Sequence, residues 1–312
     1  MIKKIAVIGT GVIGSGWIIR FLAHNKKVIA YDKDTKLKKK IISEIKRTWP
    51  HVKKLFNKKN IKLKDFTFTT SLKEAIKDAD FIQECAPENY KLKIKLMNEI
   101  GKYAKLNAII SSSSSGLLPS RIYSKCKNPS RTIIAHPFNP VYLLPGVELV
   151  PGKKTKSIFL KKAQKFYKSI SMNPIMVKKE LPGYLADRLQ EALWREALHI
   201  VNEGYASTKD LDRAIEDGPG MRWSLMGTFL TFHLAGGKAG MKHMLEQFGP
   251  ALKLPWTKLK APKLTKKLSN TIISGTRMQA RGKSVAEISK VRDEYLLYLQ
   301  KLRKKYENKI RE

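Results

Sequence analysis

The sequence predicts an α/β chain: a mostly parallel sheet with helices on both faces, followed by an all-helical C-terminal domain. Three observations carry this. A short apolar run, Ile5 to Ile8, leads into glycines spaced G-x-G-x-x-G at Gly9, Gly11 and Gly14, and then into a helical pattern. Short apolar runs and amphipathic helical segments alternate from there to about residue 180. Beyond Pro182-Gly183 strand patterns vanish and helical periodicity dominates.

The elements follow in order. Ile5 to Ile8 reads as a buried strand. Gly9 permits a tight turn, Gly11 lets a pyrophosphate approach the backbone, and Gly14 lets helix pack against strand. Val12 and Ile13 open a helix that runs to about His24. Its N-terminus offers free N–H groups and a partial positive charge to phosphates. Val28 to Tyr31 is a second strand, ending on Asp32. That acid would accept hydrogen bonds from a ribose and repel a 2′-phosphate. The order strand, turn, helix, strand, acid is that of a Rossmann-type dinucleotide site and predicts NAD rather than NADP. Gly9, Gly11, Val12, Ile13, Gly14 and Asp32 are the candidate cofactor-binding residues.

A basic helix is expected from about Lys36 to Trp49, then a strand at Phe66 to Thr69. Ser71 and Glu74 have the spacing of a capping box. Phe81 to Glu84 is a strand that leads to Glu88, with a helix from about Tyr90 to Tyr103. Ala108 to Ile110 is a strand running into Ser111 to Ser115. Thr132 to Ala135 is another, ending on His136. Glu88, Ser115 and His136 all lie just past strand ends, where open α/β sheets bind ligands. In the second domain, Leu189, Leu193, Ala197 and Ile200 share one helix face, and Glu191 and Arg195 are spaced as an ion pair. A charged helix is expected from about Val285 to Tyr306. The boundary falls near residue 180, giving domains 1–180 and 181–312.

Composition bounds the rest. A chain of 312 residues is long enough for two domains with their own cores. The net charge of +36 invites a nucleic-acid reading. The excess is mostly lysine, spread along the whole chain, as at Lys38 to Lys40, Lys58-Lys59 and Lys153-Lys154. It reads as solvated helix faces, with polyanion affinity as a by-product and no specific nucleic-acid partner. Cys85 and Cys126 make no disulfide framework and read as reduced thiols. No cluster has zinc-ligand spacing, so no metal is expected. The apolar run at Ile5 to Ile8 is too short for a signal peptide or membrane span, which makes the cytoplasm the default expectation.

His136-Pro137-Phe138-Asn139-Pro140 is the second strong motif. With the glycine turn, Glu88-Asn89, the serine-rich strand end and the segment Pro182 to Leu189, it makes the chain resemble the 3-hydroxyacyl-CoA dehydrogenase family over almost its whole length. The resemblance implies that His136 takes the proton from a substrate 3-hydroxyl while hydride passes to nicotinamide. It implies that Glu88 pairs with that histidine and that Ser115 hydrogen-bonds the substrate oxygen. It also implies a homodimer through the helical domain.

Departures from the family pattern bear on the substrate. Ser113-Ser114 stand where acyl-CoA enzymes usually carry Asn-Thr, and Asp187 stands where they usually carry asparagine. An acid there suits a cationic substrate. Segments of the helical domain, among them Gly218 to Trp223 and Phe229 to Gly237, resemble a branch of the family that acts on carnitine. Such a carnitine-like substrate, a short 3-hydroxy acid with a quaternary ammonium, is held by aromatic faces and carboxylates. Asp187 is the candidate counter-charge, and Tyr184, Trp194, Trp223, Phe229 and Phe232 are candidate cage members. Arg188 or Arg222 could hold the substrate carboxylate, and Asn139 completes the candidate substrate-binding set. The alternatives are a 3-hydroxyacyl-CoA dehydrogenase proper and a lambda-crystallin-like sugar-acid 3-dehydrogenase.

Overall fold

The computed structural model describes residues 2–56, 62–223 and 226–257, with scattered positions between 265 and 302. The chain divides into two compact units, Met1–Gln190 and Glu191–Glu312.

The first unit is built on an eight-stranded sheet. Its elements are β1 (Lys4–Ile8), α1 (Val12–Ala23), β2 (Lys27–Tyr31), α2 (Leu37–Phe56), β3 (Phe66–Thr69), α3 (Leu72–Ile76) and β4 (Phe81–Glu84). They continue with α4 (Tyr90–Tyr103), β5 (Ile109–Ser112), α5 (Pro119–Ile122), β6 (Thr132–Pro137), β7 (Gly146–Pro151), α6 (Ser157–Ser169) and β8 (Asn173–Met176). The strand order is β3-β2-β1-β4-β5-β6-β7-β8. Neighbouring strands run parallel except β6 and β7, which are antiparallel. The order reverses direction between β1 and β4, and that reversal opens the crevice in which such sheets bind ligands.

Both faces of the sheet are covered, which explains the unbroken apolar run of β1. Successive side chains of a strand point to opposite faces. Ile5 and Val7 join one core with Trp17, Phe21, Phe166 and Tyr167. Ala6 and Ile8 join the other, with Ile76, Met97, Ile100 and Ile122. The predicted fold class is therefore the observed one.

Two strands were not legible in the sequence. β7 carries the acid Glu148 in the middle of its apolar run, and β8 is a short segment with Pro174 inside it. Helix α2 also runs past the expected end at Trp49 to Phe56, taking Pro50 into its interior. The capping box is half built. Ser71 Oγ accepts from the Glu74 N–H, while the Glu74 carboxylate takes the Thr69 hydroxyl, and Thr69 Oγ1 in turn accepts from the Ser71 N–H.

Arg20, fully buried on α1, pins the segment that follows β6. Its guanidinium donates to the carbonyls of Val141 at 2.7 Å and Leu144 at 3.0 Å, and to Ile170 and Ser171. Burial pulls its pKa down to about 10, and four carbonyl acceptors compensate the buried charge.

Helix α7 (Ala186–Asn202) begins in the first unit and continues into the second. The regular structure described in the second unit is helical: α8 (Thr208–Asp217), α9 (Gly220–Trp223), α10 (Thr228–Ala235) and α11 (Met241–Phe248). The Glu191–Arg195 pair forms at 3.1 Å. The helix expected from Val285 to Tyr306 lies almost wholly outside the described residues, as do Lys58 and Lys59. Among the described residues no helix is long and apolar enough to cross a membrane.

Candidate active site

The glycine turn joins β1 to α1 at the crevice. Gly9 has φ +92°, and a Cβ there would sit 2.8 Å from the Cys85 carbonyl oxygen. A Cβ on Gly14 would fall 2.0 Å from the Gly9 carbonyl oxygen, so helix and turn are in direct backbone contact. Gly11 differs: a Cβ there meets nothing within 4 Å. It is exposed and caps α1 without a side-chain hydrogen bond. No side-chain hydrogen bond from Gly11 caps the first turn of α1, and the space beside Gly11 is open, which fits a phosphate. At the end of β2, Asp32 Oδ2 accepts from Thr10 N at 2.9 Å and Thr10 Oγ1 at 2.7 Å. These bonds fix the carboxylate beside the turn, where a ribose would meet it.

A cavity of about 430 Å³ lies at the C-terminal ends of β5 and β6, with Ile13, Ser113, Ser115 and His136 on its wall. Phe138, Asn139, Leu144, Asp187 and Gln190 complete its polar and apolar lining. Five residues singled out from the sequence therefore meet at one place: Ile13, Ser115, His136, Asn139 and Asp187.

His136 is 5% exposed and is gripped from behind by a residue the sequence reading missed. Its Nδ1 lies 2.8 Å from Glu148 Oε2. β6 and β7 are paired so that His136 stands opposite Glu148. The other oxygen, Oε1, accepts from the backbone N–H of Leu185 at 2.9 Å and Ala186 at 3.0 Å, where α7 begins. One fully buried carboxylate thus joins the histidine to the helix that carries Asp187. Burial pushes the Glu148 carboxyl up, but the bonds from His136, Ala186 and Leu185 outweigh it and hold the pKa below the ordinary 4.5. An acid inside the apolar run Gly146–Pro151 is the signal that could have found it, because a charge in a buried strand requires a partner. The opposite nitrogen of His136, Nε2, is 3.7 Å from Asp187 Oδ2.

The expected pairing of Glu88 with His136 is corrected by this geometry. Glu88 Oε1 accepts instead from Ser114 Oγ at 2.5 Å and from the backbone N–H groups of Ser115 and Gly116 at 3.0 and 3.2 Å. It shapes the turn that presents Ser115. Behind it, Lys93 is 1% exposed and bonds both oxygens of buried Glu84, with Glu88 Oε2 at 3.5 Å. Glu88 lies past a strand end, but the backbone donors of the serine turn are nearer than the imidazole and take its carboxylate.

Tyr184 is not an open cage wall. It is fully buried, its hydroxyl donates to the Leu117 carbonyl, and its ring lies 5.7 Å from that of His136. Phe138, part of the His136–Pro140 motif but given no role from the sequence, lines the cavity with its ring edge-on to His136 at 5.5 Å. Val12 and Arg188 are exposed, at the starts of α1 and α7. Trp194, Arg222, Trp223, Phe229 and Phe232 belong to the second unit. There Trp194, Trp223, Phe229 and Phe232 are exposed, and the Arg222 Nε is buried with no hydrogen-bond partner among the described residues.

Residues 4–181 match the NAD binding domain of 3-hydroxyacyl-CoA dehydrogenase, and residues 183–275 match that family's C-terminal domain. The chain is 52% identical to an L-carnitine dehydrogenase of Oceanobacillus iheyensis over 297 residues, covering 95% of this chain and 97% of that one. It is 47% identical to an L-carnitine dehydrogenase of Staphylococcus epidermidis, over 97% of this chain and 94% of the other. Among solved structures, a 3-hydroxyacyl-CoA dehydrogenase from Archaeoglobus fulgidus superposes with a TM-score of 0.71 at 23% identity, covering 96% of this chain and 98% of that one. That likeness is one of fold.

Proposed function

The chain belongs to the 3-hydroxyacyl-CoA dehydrogenase family of NAD-dependent oxidoreductases, and from that premise we propose that it oxidises the 3-hydroxyl of L-carnitine to 3-dehydrocarnitine. The observation that carries the substrate is the position of Asp187, with Oδ2 3.7 Å from His136 Nε2 in the same cavity. The atom that takes the hydroxyl proton therefore has a carboxylate beside it. In carnitine the quaternary ammonium sits on the carbon next to the carbinol, so a base that reaches the hydroxyl brings its neighbouring acid to the cation. In a 3-hydroxyacyl-CoA that carbon carries an alkyl chain, and a carboxylate facing it is unfavourable.

Bound NAD supplies the hydride acceptor for the carbon that bears the hydroxyl. The residues of the chain do the rest. With its Nδ1–H donated to Glu148, His136 keeps the Nε2 lone pair toward the cavity to accept the hydroxyl proton. Ser115 hydrogen-bonds the same oxygen, on a turn shaped by Glu88. Asp187 and the face of Phe138 receive the trimethylammonium group. Gly9, Gly11, Val12, Ile13, Gly14 and Asp32 hold the cofactor. Asn139 lines the same cavity; for Arg188, Arg222, Trp194 and Trp223 the substrate-binding roles rest on the chemistry of a zwitterionic substrate. The same reading makes the protein a cytoplasmic homodimer. Exposed apolar side chains in the second unit, Leu193, Trp194, Leu198, Phe229 and Phe232, support a self-association surface.

NADH absorbance with L-carnitine, D-carnitine, 3-hydroxybutyrate and 3-hydroxybutyryl-CoA side by side tests the substrate. NADH should appear with L-carnitine. Turnover of the CoA ester without turnover of L-carnitine overturns the reading. Asp187→Asn should raise the KM for L-carnitine about 10–100-fold, the range of one charged contact, with NADH affinity unchanged. Unaltered carnitine kinetics in that variant would remove Asp187 from the ammonium site.

A further inference from the structure

Ser113 lines the cavity beside Ser115 and His136, and its hydrogen bonds fix what it can offer there. Trp17 Nε1 donates to Ser113 Oγ at 3.0 Å, and Gln83 Nε2 donates to it at 2.8 Å. An indole N–H and an amide NH₂ can only donate. The amide is oriented by a second bond, because the Tyr167 hydroxyl donates to Gln83 Oε1 at 2.5 Å. Trp17, Gln83 and Tyr167 are all fully buried, so this set is rigid. Both lone pairs of the Ser113 oxygen are thereby occupied, and only its proton is left to give. The remaining neighbour is Cys85 Sγ at 3.3 Å, a weak acceptor. Burial pushes that thiol up to about 12, so it carries no charge to compete for the proton.

We infer that Ser113 is a donor-only hydroxyl that gives its proton to the carboxylate of the substrate. This rests on the carnitine reading above and adds how the acid end is held. Among the described residues that line the cavity there is no lysine or arginine. Within this lining a carboxylate is therefore met by neutral donors, whatever Arg188 or Arg222 adds from outside it. Of these, Ser115 serves the carbinol oxygen, while the amides of Asn139 and Gln190 can turn either way. Ser113 cannot: it repels any donor and rewards an acceptor. The serine two residues before Ser115, where acyl-CoA relatives usually carry asparagine, becomes a determinant for an acidic rather than a thioester terminus.

The test is Ser113→Ala against two substrates: L-carnitine, and 1-(trimethylammonio)propan-2-ol, which has a methyl group in place of the carboxymethyl arm. Relative to the unmodified protein, kcat/KM for L-carnitine should fall about 10–100-fold, mostly in KM, as for loss of a hydrogen bond to a charged group. The amino alcohol should change less than threefold, read as a competitive Ki where turnover is too slow, and NADH affinity should stay constant. Equal losses on both substrates overturn the inference. So does weakened NADH binding, which would turn the hydroxyl toward the nicotinamide carboxamide. Ser113→Cys keeps a weak acceptor for Trp17 and Gln83 and gives the same substrate split if the alanine variant does not fold. If the unmodified protein leaves L-carnitine unoxidised, the functional reading fails. If it oxidises L-carnitine and both variants match it, this inference alone fails.

Discussion

Replacing His136 by alanine should lower kcat on L-carnitine about 10²–10⁴-fold, the contribution of one positioned acid–base group. NADH should still bind with native affinity, because the glycine turn and Asp32 form a separate part of the site. The reason is the direction of the imidazole. Its Nδ1 is committed to Glu148, so Nε2 is the nitrogen that faces the cavity. Asp187 Oδ2, at 3.7 Å, is the carboxylate beside that nitrogen among the described pairs, and its assigned partner is the ammonium group. Stopped-flow NADH formation with fluorescence titration of NADH decides it. A variant retaining more than a tenth of native kcat would remove His136 as the base.

Glu148→Gln should be nearly as damaging, although the change is isosteric. Both carboxylate oxygens accept hydrogen bonds: Oε2 faces the imidazole and Oε1 faces the Leu185 and Ala186 N–H groups. A glutamine has one oxygen for these two duties. If its oxygen faces the helix, its NH₂ donates to His136 Nδ1, the proton moves to Nε2, and the base is lost. If its oxygen faces the histidine, its NH₂ confronts two backbone donors in a buried site, at a cost of about 1–3 kcal/mol. The expected result is a kcat loss of about 10²–10⁴-fold, as in hydrolases whose histidine is left in the wrong tautomer, together with a lowered Tm.

The pH dependence of that Tm carries a sign. The folded pKa of Glu148 lies below the ordinary 4.5. Its stabilisation is therefore fully present above the unfolded value and is lost as pH falls through the folded value. The Tm gap between the unmodified protein and Glu148→Gln should shrink as pH falls below about 4.5. A gap that widens below that pH would contradict the assignment.

Glu88 and Glu148 show where the sequence is readable and where it is not. The sequence sets both Glu88 and His136 just past strand ends, and the family resemblance pairs them; in the structure His136 lies within β6. The strand-end rule selects an edge of the sheet about as long as several side chains. It does not select which acid touches which base. Glu148 pairs with His136 because β7 turns back antiparallel and sets the two residues opposite each other. Nothing in the alternation of β and α segments announces that reversal. Ser113 is similar, since one of five consecutive serines acquires a defined hydrogen-bonding sense only from Trp17 on α1 and Gln83 on β4.

The sequence by itself determined the doubly covered sheet, the glycine turn with Asp32 at the next strand end, and the sheet edge where His136 and Ser115 line one cavity. These depend on residues close in the chain: apolar periodicity, glycine spacing and the order of strand ends. Tertiary structure alone decided that Glu148 holds His136, that Glu88 serves the serine turn, that Tyr184 is sealed in the core, and that Asp187 stands at Nε2. Those outcomes are hydrogen-bonding choices among side chains and backbone groups far apart in sequence. Each polar group takes the nearest partner that satisfies it, and only the folded chain defines which partner is near.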